Sequence, residues 1–198
     1  AWGRRTQEDN VDLNRHFVDF TGAPPENAGY DAMHAALLEP ASAGIAGPLP
    51  DGVRAHLARV GRRRGEQDVY GGQHRHADGL FYGGVRPAWS RLRLEQLLRK
   101  RLGRAVEIVV LDFHTGYGPW GRATPLWHMG TGRAFDRARH LFGSGIEAPL
   151  TGDRTQEHFI QTGHLYGWLQ QELGAERCTP MCIEFGVREL GFEAEINL

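Results

Sequence analysis

Hydrophobic and polar positions change period several times along the chain, and each change predicts an element. The run AVEIVVLDF (105–113) is β-branched and almost continuously apolar, which predicts a strand central in a covered sheet. MCIEFGV (181–187) predicts a second strand of the buried type, and LWHMG (126–130) a short one between them. Helical spacing predicts helices over about 29–38 after a Pro-Pro break, from Asp51 to the Arg62–Arg64 cluster, and over about 132–142. A further helical pattern runs from about 155 to 173, interrupted by Gly163 and Gly167 and ended by Gly174. Ser90 caps a helix carrying Leu92, Leu94, Leu97, Leu98 and Leu102, closed by Gly103. The segment 71–87, GGQHRHADGLFYGGVRP, is too rich in glycine for a regular element, and long ordered loops are usually functional. Strands alternating with helices predict an α/β fold: a three-layer αβα sandwich with a mixed, mostly parallel central sheet, formed by 1–198 as a single domain.

Composition narrows the function class. With 198 residues, 40% hydrophobic, 24% charged and a net charge of -1, the chain reads as a soluble globular domain that needs no disulfide or structural metal to fold. No apolar run approaches the ~18 residues of a membrane span, and AWGRRTQEDN lacks a secretory leader's layout. The two cysteines, Cys178 and Cys182, exclude a disulfide framework and favour a reducing, cytoplasmic compartment. Arginine is abundant and lysine almost absent, but 24 carboxylates offset the 23 cations. The basic stretches Arg54–Arg64 and Arg86–Arg104 therefore read as solvated helix faces, with nucleic-acid binding the weaker option. The tail from Glu184 onward is acidic.

Polar groups concentrate in RRTQEDNVDLNRHF, VVLDFHTGYGPWG and CIEFG, where an α/β sheet places its site, beyond the carboxyl ends of its strands. His114 follows the first strand, with Asp112 placed to orient its ring. Glu184 interrupts an apolar strand, so its carboxylate must be paired, protonated or set at an open cleft. It is either half of a structural ion pair or a general base. Asn14 and Arg15, after the strand-like VDL, offer a fork for a carboxylate, and Arg4 or Arg5 a second cation beside a developing oxyanion. His74 and His76, alternating on an extended segment, are loop residues or a metal pair that completes a site with His114. Phe81, Tyr82, Tyr117, Trp120 and Tyr166 are candidate pocket aromatics, and the cysteines are most simply buried thiols.

The strings NVDLNRHF, DFHTGYGPWG and CIEFG, in this order, resemble segments of the zinc carboxypeptidase superfamily, which includes aspartoacylases and succinylglutamate desuccinylases. With GGQHRHADGLFYGG they look like one uncharacterised bacterial branch of it. The resemblance implies zinc as cofactor, with His114 as a ligand and Glu184 as the base and acid that works on water. It also implies that Asn14 and Arg15 hold a substrate carboxylate, and that Arg5, in preference to Arg4, polarises the scissile carbonyl. The expected activity is hydrolysis of an amide next to a carboxylate, on a small-molecule or peptide substrate, with neither nucleic acid nor membrane as partner. Three departures stand out. No His-x-x-Glu precedes Arg4, His16 stands where the family has asparagine, and Val187 where this branch has threonine. The first implies that the sequence starts downstream of two zinc ligands and is inactive alone. A carboxylate-binding domain that keeps the fold without the chemistry is the alternative.

Overall fold

The computed structural model describes residues 5–7, 9–39, 47–148 and 159–186. Arg4, Val187, the acidic tail beyond 186 and the first four positions of the helical pattern expected from 155 lie outside them. The fold is α/β. Its described residues divide into two compact units, the first within 1–92 and 159–165, the second within 93–158 and 166–189.

In the first unit, VDL is not a strand. The Asp12 side chain accepts from the Asn14 amide and caps a 3-10 turn, Leu13–Arg15. The helix expected over 29–38 is two short ones, α1 (Ala28–Asp31) and α2 (His34–Leu37), with Asn27 capping the first. The next is also two, α3 (Asp51–Val60) and α4 (Arg62–Tyr70), because Gly61 takes φ +85 between them. These helices bury Tyr30, Met33, Leu37, Val53, Val69 and Phe81 together. A polar pin runs through this packing: buried Asp68 accepts from His56 Nε2 at 2.9 Å and from Arg64 Nε at 2.8 Å. A Cβ on Gly29 would lie 2.1 Å from that carboxyl group, which is why α1 carries a glycine there. The loop 71–87 is ordered by Gln73, whose Oε1 accepts the amides of Arg75 and His76 while its Nε2 donates to the His76 and Leu80 carbonyls.

In the second unit a three-stranded sheet runs in the order β1 (Ile108–Thr115), β3 (Cys178–Phe185), β2 (Ala123–Leu126), parallel between β1 and β3 and antiparallel between β3 and β2. The run expected at the centre of the sheet is its edge among the described residues, and its burial alternates. Val109, Leu111 and Phe113 face outward while Val110, Asp112 and His114 are half-buried. The central strand is β3, buried from Cys178 to Ile183 as its continuous apolar run requires. Pro180 is tolerated in it because β2 pairs only from Cys182 onward. The strand expected at 126–130 sits earlier, at 123–126, and includes Pro125 on an edge.

Helix α6 (Arg133–Phe142), bounded as expected, packs Ala134 and Ala138 against Met181, Ile183 and Trp127. Helix α7 (Leu165–Leu173) puts Tyr166 on Asp112, and Gly174 with φ +88 ends it. Helix α5 (Trp89–Leu102) encloses Ser90 instead of being capped by it, and its leucines are not a core stripe: Leu92 is 50% and Leu97 54% exposed. No described helix is long and apolar enough to cross a membrane.

Both thiols are free and buried. Burial pushes Cys178 up to about 11, against the pull of Arg137 and Arg177. At pH 8 its thiolate fraction is therefore on the order of 0.1%, so a disulfide reagent should label the folded protein at least about 100-fold more slowly than the unfolded chain. Equal rates would place this thiol at an accessible edge.

Candidate functional site

The register of the parallel pair decides the geometry of the site. His114 lies opposite Glu184 and Asp112 opposite Cys182, all four on one face because side chains alternate along each strand. They stand at the carboxyl end of the pair, where open α/β sheets collect ligands. His114 Nε2 is 2.9 Å from Asp112 Oδ2, and the Tyr166 hydroxyl donates to the same oxygen at 2.9 Å. His128 stacks on Tyr166, with ring centroids 5.4 Å apart. The other imidazole nitrogen, His114 Nδ1, is 3.9 Å from Glu184 Oε1. Donor atoms of His114, Cys182 and Glu184 all lie within 4.8 Å of one another. The cluster is half-open, with the His114 side chain 29% and that of Glu184 14% exposed.

Electrostatics separates the two carboxylates. Burial raises Asp112, but the His114 hydrogen bond and charge, the Tyr166 hydroxyl and His128 outweigh it, and Asp112 sits below its ordinary range. Glu184 is raised: burial dominates and Asp112 adds to it, over the opposing pull of His114, the Tyr117 amide and Cys182. Its Oε2 is buried with no hydrogen-bond partner among the described residues. One carboxylate thus stays ionised behind the histidine while the other has a high proton affinity in front of it, the pattern of an orienting group and a base. Burial pushes Cys182 up to about 12, with Tyr166 opposing and Glu184 and Asp112 adding to the rise, so its thiol is neutral and a poor ligand as it stands.

These residues fit a metal centre in one respect. A histidine whose far nitrogen is held by a carboxylate is the usual arrangement of a metal-ligating imidazole, and Glu184 Oε2 has no hydrogen-bond partner among the described residues. Of the three donors, His114 alone has its far nitrogen held by a carboxylate among the described residues, and Cys182 would have to give up its proton to coordinate.

The glycine of CIEFG has a geometric reason. A Cβ on Gly186 would fall 2.0 Å from the Pro119 carbonyl oxygen and 2.4 Å from that of Gly118. The same loop is tied by Gly186 N–H to Arg122 O and by Gly121 N–H to Gly186 O, each at 3.0 Å. Gly186→Ala should push this loop away, withdraw the Tyr117 amide from Glu184 and destabilise the fold by about 1–3 kcal/mol. Denaturant unfolding checks this, and a change below about 0.5 kcal/mol would show that the loop gives way freely.

Arg5, Asn14 and Arg15 stand together in the first unit. Arg5 Nε binds buried Asp12 at 2.9 Å, and both arginines lie over the Phe81 ring, at 4.7 and 5.1 Å. Arg15 is only 1% exposed and donates Nε to Tyr70 O and Nη1 to Asn14 O, each at 2.9 Å. Burial lowers its guanidinium to about 10, with Asp12 opposing and Arg5 adding to the fall. The neighbouring departure from the family motif is structural: buried His16 donates Nδ1 to Gly83 O at 2.6 Å and accepts the Ala88 amide on Nε2 at 2.8 Å. His74 and His76 do not act as a pair. His74 Nδ1 donates to Gly84 O at 2.6 Å, whereas His76 binds Asp31 at 2.7 Å. Of the expected pocket aromatics, Tyr166 reaches the cluster, Tyr117 donates its hydroxyl to Glu147, Phe81 and Tyr82 are buried in the first unit, and Trp120 is exposed.

Residues 1–196 match the model of a family described as "Protein of unknown function (DUF2817)". The chain belongs to this family. No curated protein and no solved structure matches it. The DUF2817 description carries no activity, so the chemistry of the cluster rests on its geometry. Sequence reasoning on this DUF2817 chain placed His114, Asp112 and Glu184 but not Cys182 or His128 beside them. The signal for Cys182 was available, since it precedes Glu184 by two on a strand and so shares its face.

Proposed function

We propose that this chain is part of a zinc-dependent hydrolase that cleaves an amide bond adjacent to a carboxylate, on the three-layer αβα fold of the carboxypeptidase superfamily. The observation that supports it is the facing of His114 and Glu184 across β1 and β3, with Asp112 behind the histidine. Asp112 holds the proton on Nε2, which makes Nδ1, on the Glu184 side, the nitrogen that would bind the metal. Zinc, when bound, supplies Lewis acidity toward water and the carbonyl. Glu184 takes a proton from the attacking water, whose oxygen bonds to the carbonyl carbon. The same carboxyl then delivers that proton to the nitrogen as the carbon–nitrogen bond breaks, so that acid and amine leave in balance. The carboxylate preference rests on the resemblance of the segment bearing Arg5, Asn14 and Arg15, in which the Arg15 guanidinium itself is buried and donates to Tyr70 O and Asn14 O.

The test is hydrolysis of matched amides by the full natural protein, N-acyl amino acids against the same compounds with the carboxylate capped. The expected preference for the free acid is at least about 100-fold in kcat/KM, abolished by a chelator. Equal turnover of both would remove the carboxylate from recognition. Tight binding of the acids without turnover would establish the non-catalytic carboxylate-binding domain instead.

A further inference from the structure

We propose that the first unit carries its own site for a divalent transition-metal ion, of the zinc class, built from His34, His76 and Asp78. It shares no residue with the His114–Glu184 cluster and does not rest on the hydrolase reading. His34 opens α2, while His76 and Asp78 come from the loop 71–87, so the site is assembled by the ordering of that loop through Gln73. Ligand atoms of the three residues all lie within 4.8 Å of one another. His34 Nε2 is 3.3 Å from Asp78 Oδ1, which matches the roughly 3.3 Å between neighbouring donors when tetrahedral bonds are about 2.0–2.1 Å long.

The two imidazoles are stacked, with centroids 3.7 Å apart and planes 21° from parallel. An imidazole lone pair lies in its ring plane, so binding one ion with both rings takes a turn of one of them, His34, about its Cβ–Cγ bond. His76 is prepared for this. Its Nε2 is 2.7 Å from Asp31 Oδ1, and Arg75 Nη1 holds the other carboxylate oxygen of Asp31 at 3.1 Å. A carboxylate on one ring nitrogen fixes the tautomer, so His76 Nδ1 is the ligand atom. His34 Nδ1 is buried with no hydrogen-bond partner among the described residues, and Nε2, on the Asp78 side, is the nitrogen placed to coordinate. Asp78 is largely solvent-exposed, which gives an entry path and leaves a fourth position to water. Two imidazoles and one carboxylate suit Zn(II), and Co(II) as its spectroscopic substitute, over Mg(II) or Ca(II).

The experiment titrates Co(II) into the metal-free full natural protein carrying His114→Ala, which removes the other cluster's histidine. One equivalent should bind with visible d–d absorption, displaced by Zn(II). Adding Asp78→Asn, at an exposed position that leaves the fold intact, or His76→Ala should abolish the signal. Asp31→Asn, which acts through His76, should weaken binding about 10–100-fold while keeping the stoichiometry. Absence of binding in the His114→Ala protein, or binding unchanged by Asp78→Asn and His76→Ala alike, would overturn the proposal.

Discussion

Glu184→Gln should lower kcat/KM for amide hydrolysis by about 10²–10⁴-fold while leaving bound zinc in place. The substitution is nearly isosteric, and Glu184 stands across the sheet from His114 without being the metal's own ligand in this account. What is lost is the group that accepts the water's proton and returns it to the leaving nitrogen. The effect should fall on kcat, because the carboxyl acts in bond making and breaking and not in holding substrate. Kinetics and metal analysis on the same preparation check it. Turnover within a few-fold of the parent would show that Glu184 is half of a structural pair, the other reading its place in an apolar strand allows.

Arg15→Ala should destabilise the protein by about 3 kcal/mol. Arg15 is buried, and its removal strands the Tyr70 and Asn14 carbonyls that it now satisfies. It also opens a void where Gly72 packs so closely that a Cβ there would lie 2.5 Å from Arg15 Cδ. Lysine should not rescue it, because a single ammonium cannot reproduce a planar fork with separate donors to two carbonyls. Urea unfolding measures both variants. A loss under about 1 kcal/mol would mean that the guanidinium contributes little to the first unit and is kept for another purpose. The stability effect also bears on kinetics: a KM change in Arg15→Ala is evidence for a carboxylate clamp only once the variant is shown to be folded under assay conditions.

Some of this was legible from residues alone, and for identifiable reasons. MCIEFGV read as a buried strand because a continuous apolar run has few other homes, and β3 is buried on both faces through Ile183. Helix α6 read correctly because its glycines bracket a clear helical spacing. AVEIVVLDF was equally apolar but is an edge among the described residues, since the number of neighbours a strand has depends on pairing partners that its own composition does not encode. β2 starts three residues before LWHMG and includes Pro125, which an edge strand tolerates and its composition does not announce. The leucines of α5 followed helical spacing without being buried, so periodicity marked the helix but not its environment.

At the candidate site, the residue types were visible and the contacts were not. His114 and Glu184 are 70 positions apart, and only the β1–β3 register makes them opposite. His16 looked like a lapse from a family motif, yet its two ring nitrogens each serve a main-chain partner, a role that no spacing announces. The separation of His74 from His76 has the same origin, because the turn closed by Gln73 sends one ring to Gly84 and the other to Asp31.

The central claim is that the imidazole at 114 holds a metal beside the carboxylate at 184, and metal content by plasma mass spectrometry, comparing the natural protein with its His114→Ala variant, addresses it most directly. The account predicts that the variant, folded by circular dichroism, loses one equivalent of zinc per chain together with all hydrolytic activity. Identical zinc content in the two proteins would contradict it.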